Sequence, residues 1–531
     1  MPEYGRNAGR RIASLALAAS LTLSGLPAAL AGVGDVNSVN DGPNVAGGTY
    51  YNTFDGKTTF TNSGGSGLYV KAGDTVTGLE VGSNGALTNN GGHIHFDIPG
   101  QVVRLDGNIN VSGILKDGAY LGNGGKVTID SAFLYQNGQI YANGINGGMV
   151  QFNVTSMTEM GSNASIEAKG FTGTGGVVKI NPDMANPGAI VIHKGAVVDT
   201  SGAVIGTYNT NLIQMNGSIV NLDGVLMANG LMPGQQGGKI DISATDSIKI
   251  GPNGQLLANG ADGINGYNPT SGGNGGEISV STEKNLDNDG LIAANGGNGG
   301  TNPAVERGPV SNDEAGNPQQ VSLGQDGGHG GNGGTIKVSF KGSMTNNGMI
   351  EVKGGNGGNG QEAFADEPGV HQIASGGTGG NGGTGGKVHF NGIPSQDVLN
   401  NVNVSGGSGG QGGAAATQSD CGCATPGAKG ACGAPGEITM TPHKPKTPPD
   451  TPNNPLYPLY PKEYPRLGDT LPNNTPQVLN YNRSIFLARA PLPIIQKKNP
   501  PPPPPAPVKP PVVPKPKPKP PQKKVPVRGY W

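Results

Sequence analysis

Aromatic residues are scarce in this chain, 5% of the total, and its one tryptophan is the last residue, Trp531. Such side chains supply much of the buried area of a rounded core, so their scarcity excludes a large globular one. Charge is thin as well, at 13% of residues. Cysteine is confined to one cluster, Cys421, Cys423 and Cys432, which excludes a disulfide framework spread along the chain. After the N-terminal segment no stretch approaches the roughly 20 apolar residues of a membrane helix.

What the chain has instead is glycine, 97 residues, and proline, 44, in a length of 531. That composition fits an elongated or repetitive architecture. The formal net charge of −1 hides a polarity: from Lys497 onward there are nine Lys or Arg and no acid, which leaves the preceding chain about ten units negative. Segment 441–495 is a Pro-rich linker and 496–531 a basic Pro/Lys-rich tail, expected to be disordered and able to lie on an anionic envelope polymer. The piece SIFLARAPLPII at 484–495 is the one apolar patch there and could dock on the end of the folded part.

The start has Arg6, Arg10 and Arg11, then an apolar stretch from Ile12, then Ala29-Leu30-Ala31. This is the layout of a signal peptide over residues 1–31 and implies export to the cell surface or the outside. In such a compartment the cysteine cluster reads as a local disulfide clip with one thiol left over. A three-thiolate metal site is the other reading, and it lacks an obvious fourth ligand.

A unit recurs along the chain: Gly-Gly, a short alternating strand, a polar turn of about ten residues, then a second alternating strand preceded by Asn-Gly or Asp-Gly. Copies begin at Gly91, Gly124, Gly147, Gly175, Gly237, Gly275, Gly333 and Gly385. The separation of the two strand centres is nearly fixed, since Ile278 to Ile292, Ile336 to Ile350 and Val388 to Val402 are each fourteen residues. Alternation places Ile278 and Val280 on one face and Glu277 and Ser279 on the other. Strands this short cannot bury that face alone, and stacking similar units does so. The expectation is therefore all-β: a right-handed parallel β-helix over residues 61–440, with 32–60 as an N-terminal capping or linker region.

The variable part of the unit always follows the second strand. There the chain leaves through runs such as GGNGG at 296–300 and returns through GGHGGNGG at 327–334. Insertions stacked on one side of a solenoid gather on one face, often the binding face. The Gly-Gly-x period of three matches polyproline II geometry, in which chains pack closely only where side chains are absent. Two readings stay open: ordered arms hydrogen-bonded through bare backbone, or flexible glycine loops. A calcium-binding glycine repeat does not fit, because Glu277, Thr335 and Lys387 stand where aspartate would be needed.

Active-site chemistry on such a scaffold needs carboxylates, alone or with Lys or Arg, converging on one outward face. The outward positions vary without an evident cluster. Asp241 and Glu277 could mimic a carboxylate pair on neighbouring coils, though a solvated charged face accounts for them as well. His93 and His95 point the same way, as two metal ligands would, but no third ligand is in register, and they read as surface histidines. No catalytic, cofactor-binding or metal residue is assigned, and no cofactor is expected.

The export signal, the strand coils and the stretches VVKINPDMANPGAIVIHKGAVVDTSG at 177–202 and GSIVNLDGVLMANG at 217–230 together resemble filamentous haemagglutinin-like exoproteins. Asn181-Pro182 and Asn186-Pro187-Gly188 look like that family's Asn-Pro turn signals. The resemblance implies a secreted right-handed β-helix of adhesin type, passed through an outer-membrane transporter. The function expected is a non-catalytic surface or envelope protein presenting glycine-rich loops to a cell-surface glycan or protein, with no nucleic-acid partner. A carbohydrate-active enzyme, lyase or hydrolase, on the same scaffold is the alternative.

Overall fold

The computed structural model of the chain describes residues 37–442, apart from 40–44, 46, 54–55, 63–66, 84, 183, 204–209 and 419–422. The leader, the Pro-rich linker, the basic tail, the 484–495 patch and Cys421 lie outside the described residues.

The fold is an all-β parallel solenoid. Strands His93–Leu105, Lys126–Gln136, Met149–Met160, Val177–Ile180, Leu212–Leu222, Lys239–Ile250, Glu277–Thr282, Thr335–Phe340, Lys387–Asn391 and Glu437–Thr441 follow one another in a single parallel sheet. The second strands of each unit form a second parallel sheet. Pairing joins equivalent positions of successive units: Ile278 to Ile336, Ile336 to Val388, and Ile292 to Ile350. Ile278, Ile336 and Val388 are each 0% exposed. Like residues thus stack on like, so each coil buries the apolar face that its neighbour could not cover alone. Parallel pairing reaches N-terminally of residue 61, where Asn37–Val39 lies beside Thr58–Thr61.

The expected polar turn between the two strands is in fact a third strand. In successive coils it is Leu286–Asn288 and Met344–Asn346, paired in parallel. The reason is visible in its core positions: Leu286 and Asn288 are both buried, and Asn288 Nδ2 donates to Asn346 Oδ1 at 2.7 Å. Asn346 Nδ2 in turn donates to the Val398 carbonyl at 3.0 Å, in the short helix Gln396–Asn400. A buried asparagine that finds its partner one coil away satisfies its amide without an apolar pattern.

Two asparagines also turn the chain where glycine would be expected. Asn181 and Asn211 both adopt φ 52°, a left-handed conformation that a short polar side chain tolerates. Asn211 opens the strand Leu212–Leu222, a coil with no Gly-Gly ahead of it.

Candidate binding surface

The glycine arms are ordered, and their order follows a rule with three positions. In the outgoing arm at 296–301, the first glycine of each triplet donates its N–H to the x-position carbonyl of the next outgoing arm: Gly296 to Lys353 at 2.9 Å, Gly299 to Asn356 at 2.7 Å. The second glycine donates to a returning arm, Gly297 to the Gly273 carbonyl at 2.8 Å and Gly300 to Thr270 at 2.9 Å. The x residue donates to a side chain in the preceding outgoing arm, Asn298 to Asp262 Oδ1 at 2.6 Å and Thr301 to Asn265 Oδ1 at 2.8 Å. Partners repeat every third residue, the period of polyproline II. Within 296–301 every glycine amide is paired, which is what buried backbone requires.

The result is a two-layer sandwich, outgoing arms on one side and returning arms on the other. The second glycines carry the cross-layer bonds through the whole stack: Gly433 to Gly407, Gly407 to Gly383, Gly383 to Gly355, Gly355 to Gly331 and Gly331 to Gly297, all at 2.8 Å. Both glycines are compelled by space. A Cβ on Gly297 would sit 2.0 Å from the Ala261 carbonyl oxygen, and one on Gly299 would sit 1.9 Å from that of Gly328. Within the triplets at 296–300 and 354–358 only the x position has room for a side chain, and Asn298 and Asn356 there are exposed.

The last returning arm departs from the pattern. By register, Lys429, Cys432 and Pro435 stand where Gly379, Gly382 and Gly385 stand one coil earlier. The inner glycines face the carbonyls of Gly410, Gly407 and Val404 in the following arm. Among the described residues no further arm is laid over this one, so side chains fit there. Cys423 and Cys432 are exposed and are not joined to each other.

Beyond the arms the chain forms a small β tip. Val310–Asn312, Pro318–Leu323, His371–Ser375 and Cys423–Thr425 make a four-stranded sheet, and Ala363–Ala365 pairs with Ala415–Thr417. Its core is Ala363, Ala365 and Ala374, with the buried Gln320 Oε1 accepting the N–H groups of Asp366 and Glu367 at 2.8 Å each. Arg307 pairs with Asp366 and lies 5.0 Å over the Phe364 ring. An arm such as 376–386 spans roughly 30 Å at about 3.1 Å per residue, so the tip is held well away from the coils. The alternation in PQQVSL and HQIAS was the sequence signal for it.

The candidate chemical residues fall elsewhere, on the outward face of the first sheet. His93 and His95 lie side by side, ring centroids 6.2 Å apart, but they do not share a ligand. His93 Nε2 meets Thr128 Oγ1 at 3.0 Å. Burial, aided by Lys126, His95 and Lys57, lowers its pKa to about 4, so it is neutral near pH 7. His95 meets Lys57 Nζ at 3.0 Å through Nδ1 and Asp130 Oδ2 at 2.6 Å through Nε2. An ammonium can only donate, so Nδ1 accepts and Nε2–H donates to the carboxylate. Burial opposes ionisation of Asp130, but the hydrogen bonds from His95 and Asn153 outweigh it and hold the carboxyl below its usual range.

His95, Asp97 and Asp130 are close enough together to surround a cation. The tautomer that Lys57 imposes turns a proton toward Asp130 rather than a lone pair toward a metal, and Lys57, His95 and Asp130 form a hydrogen-bond relay. Asp241 and Glu277 are likewise brought near each other, with lysines between them. Lys239 Nζ lies 3.2 Å from Glu277 Oε1 and 3.9 Å from Asp241, and Lys337 Nζ lies 3.2 Å from Glu277 Oε2. Burial opposes ionisation of Glu277, yet hydrogen bonds from Lys337 and Lys239 prevail and depress its pKa. A groove of about 440 Å³ runs past His93, Lys126 and Glu80 over a floor of paired glycines.

No protein-family model, no curated protein and no solved structure matches this chain.

Proposed function

We propose that this chain is an exported, non-catalytic surface or extracellular protein, adhesin-like or an envelope component. In this reading a right-handed β-helix, the hand that parallel crossovers prefer, is the rod, and the glycine sandwich is the face it presents. The observation that carries the reading is the sandwich itself: backbone hydrogen bonds fix every arm, so the x side chains form a preorganised outer surface. Preorganisation lowers the ordering cost of binding. Charge pairing on the coils points the same way, since Glu277 is neutralised by Lys239 and Lys337 rather than held beside an open cleft. Export rests on residues 1–31, passage through an outer-membrane transporter on the family resemblance, and attachment to an anionic envelope polymer on the tail. A cell-surface glycan or protein is the partner.

The test is location. A tagged full-length chain on intact cells should be removed by external protease; a chain that survives until the cells are lysed overturns the reading.

A carbohydrate-active enzyme is the second reading, favoured by one observation. Lys57, His93, His95, Asp97, Lys126 and Asp130 do gather on one outward face beside the 440 Å³ groove. Release of reducing or unsaturated sugar from a glycan panel, abolished by Asp130→Asn, would establish it.

A further inference from the structure

The x-position side chains of the outgoing arms have a direction, and it identifies a ligand class. Each asparagine there accepts, through Oδ1, the backbone N–H of the next coil: Asn265 from Thr301 at 2.8 Å, Asn298 from Asn356 at 2.9 Å, Asn356 from Ser408 at 2.9 Å and Asn359 from Gln411 at 2.9 Å. A backbone N–H can only donate, so the bond fixes which end of the amide is oxygen. The Nδ2 groups of these residues have no protein partner among the described residues, and Asn265, Asn298, Asn356 and Asn359 are all exposed. At these four positions the face therefore offers neutral N–H donors, with the amide oxygens turned inward. Its repeat is about 9 Å along an arm, three residues at about 3.1 Å, and about 4.8 Å from arm to arm, the spacing of hydrogen-bonded neighbours.

We propose that this face binds a neutral polysaccharide, whose hydroxyl and ring oxygens are acceptors repeated along a chain. The proposal deepens the binding role proposed above and rests on it. A protein partner fits less well, because interfaces draw their energy from buried aromatic and arginine anchors and this array holds neither. A polyanion fits less well too: Asp262 sits within the array, and bidentate arginine, the usual reader of carboxylate and phosphate, is missing from it. Many weak contacts along one polymer sum through effective concentration, so affinity need not come from any single amide.

Aspartate gives the discriminating variant. Asp262 already accepts the Asn298 N–H at 2.6 Å and Asp326 accepts that of Thr378 at 2.7 Å, so Asn→Asp keeps the internal bond and replaces the outward donor with a carboxylate oxygen, whose added charge the salt comparison separates from the lost donor. Binding of the purified full chain would be read by depletion onto insoluble cellulose, chitin and β-glucan, with alginate as the anionic comparison. The wild type should bind at least one neutral polymer. The triple variant N298D/N356D/N359D should bind it at least tenfold more weakly, at low and high salt alike, with the amides of Gly354–Gly360 still protected from exchange. The triple threonine variant, which also keeps an acceptor as Thr301 does for Asn359 at 3.0 Å, should fall between. Unchanged binding by the aspartate variant, or binding to alginate alone, overturns the proposal. If the wild type binds no polysaccharide but external protease still removes it from cells, the ligand class is wrong and the surface role stands. If it is found only inside cells, the role beneath the proposal fails first.

Discussion

Gly382 and Cys432 occupy the same place in consecutive returning arms, and only the inner one must be glycine. A Cβ on Gly382 would stand 2.1 Å from the Gly407 carbonyl oxygen, whereas Cys432 meets no following arm and is exposed. The side chains of Lys429, Cys432 and Pro435 therefore mark where the stack ends, because another arm laid over them would meet those atoms.

The same substitution at these two positions should have opposite outcomes. Gly382→Ala forces a methyl into backbone and should cost roughly 1–3 kcal/mol of local stability or more, as overpacking does. Cys432→Ala should change stability by no more than about 0.5 kcal/mol, the range of surface changes. Hydrogen exchange of the arm amides checks both: Gly382→Ala should strip protection from Gly354–Gly360, and equal protection in the two variants would show that the arms are not held by this packing.

The coil core follows a different rule. Ile336 is 0% exposed between Ile278 and Val388, so Ile336→Ala should destabilise by roughly 2–5 kcal/mol. Thermal melting monitored by circular dichroism would register it. An unchanged melting temperature would mean that these ladders do not bear the fold.

Much of this architecture was legible in the sequence because two periods survive in it undisturbed. Alternation at Ile278 and Val280 announces a strand buried on one face, and the constant fourteen-residue offset to Ile292 sets the register of the coil. The third strand was hidden because Asn288 and Asn346 fill its core positions, and their cross-coil hydrogen bond replaces the apolar signal. The coil at Leu212 was hidden for a related reason, since Asn211 supplies the positive φ that a glycine pair usually signals. For the arms, the period of three was plain, but the choice between order and flexibility depended on partners 58 residues away, such as Asn298 for Asn356. The His95–Asp130 pair could be found only from register, because Lys126–Gln136 had to be laid beside His93–Leu105 for the two residues to meet.

Asn346 links two coils at once, and its removal should reveal how the buried amides are satisfied. It accepts from Asn288 and donates to Val398. Asn346→Ala leaves the Asn288 amide without its partner, a loss of roughly 1–3 kcal/mol. Replacing both asparagines by leucine removes both amides together and should restore part of the lost stability. A double variant no more stable than the single would show that the ladder's geometry, not its hydrogen bonding, is what the coil needs.

His93 should make stability depend on pH, and the sign follows from its environment. Its folded-state pKa is lowered from 6.5 to about 4, first by burial and then by Lys126, His95 and Lys57. Between those values the unfolded chain holds a proton that the folded chain does not, so stability rises with pH across that window. Acidification from pH 6.5 to about 4 should therefore lower the melting temperature, and below that range this contribution is fully lost. Asp130 acts in the same direction at lower pH, because its folded-state pKa is depressed and protonation costs its bonds to His95 and Asn153. The two are separated by His93→Gln, which keeps a hydrogen-bonding side chain beside Thr128 but cannot titrate. That variant should flatten the upper part of the pH profile and leave the fall below pH 4 in place. A profile identical to the wild type would mean that His93 is as easily protonated in the folded protein as in the unfolded chain, and that the wall of the groove it lines is wetter than its burial implies.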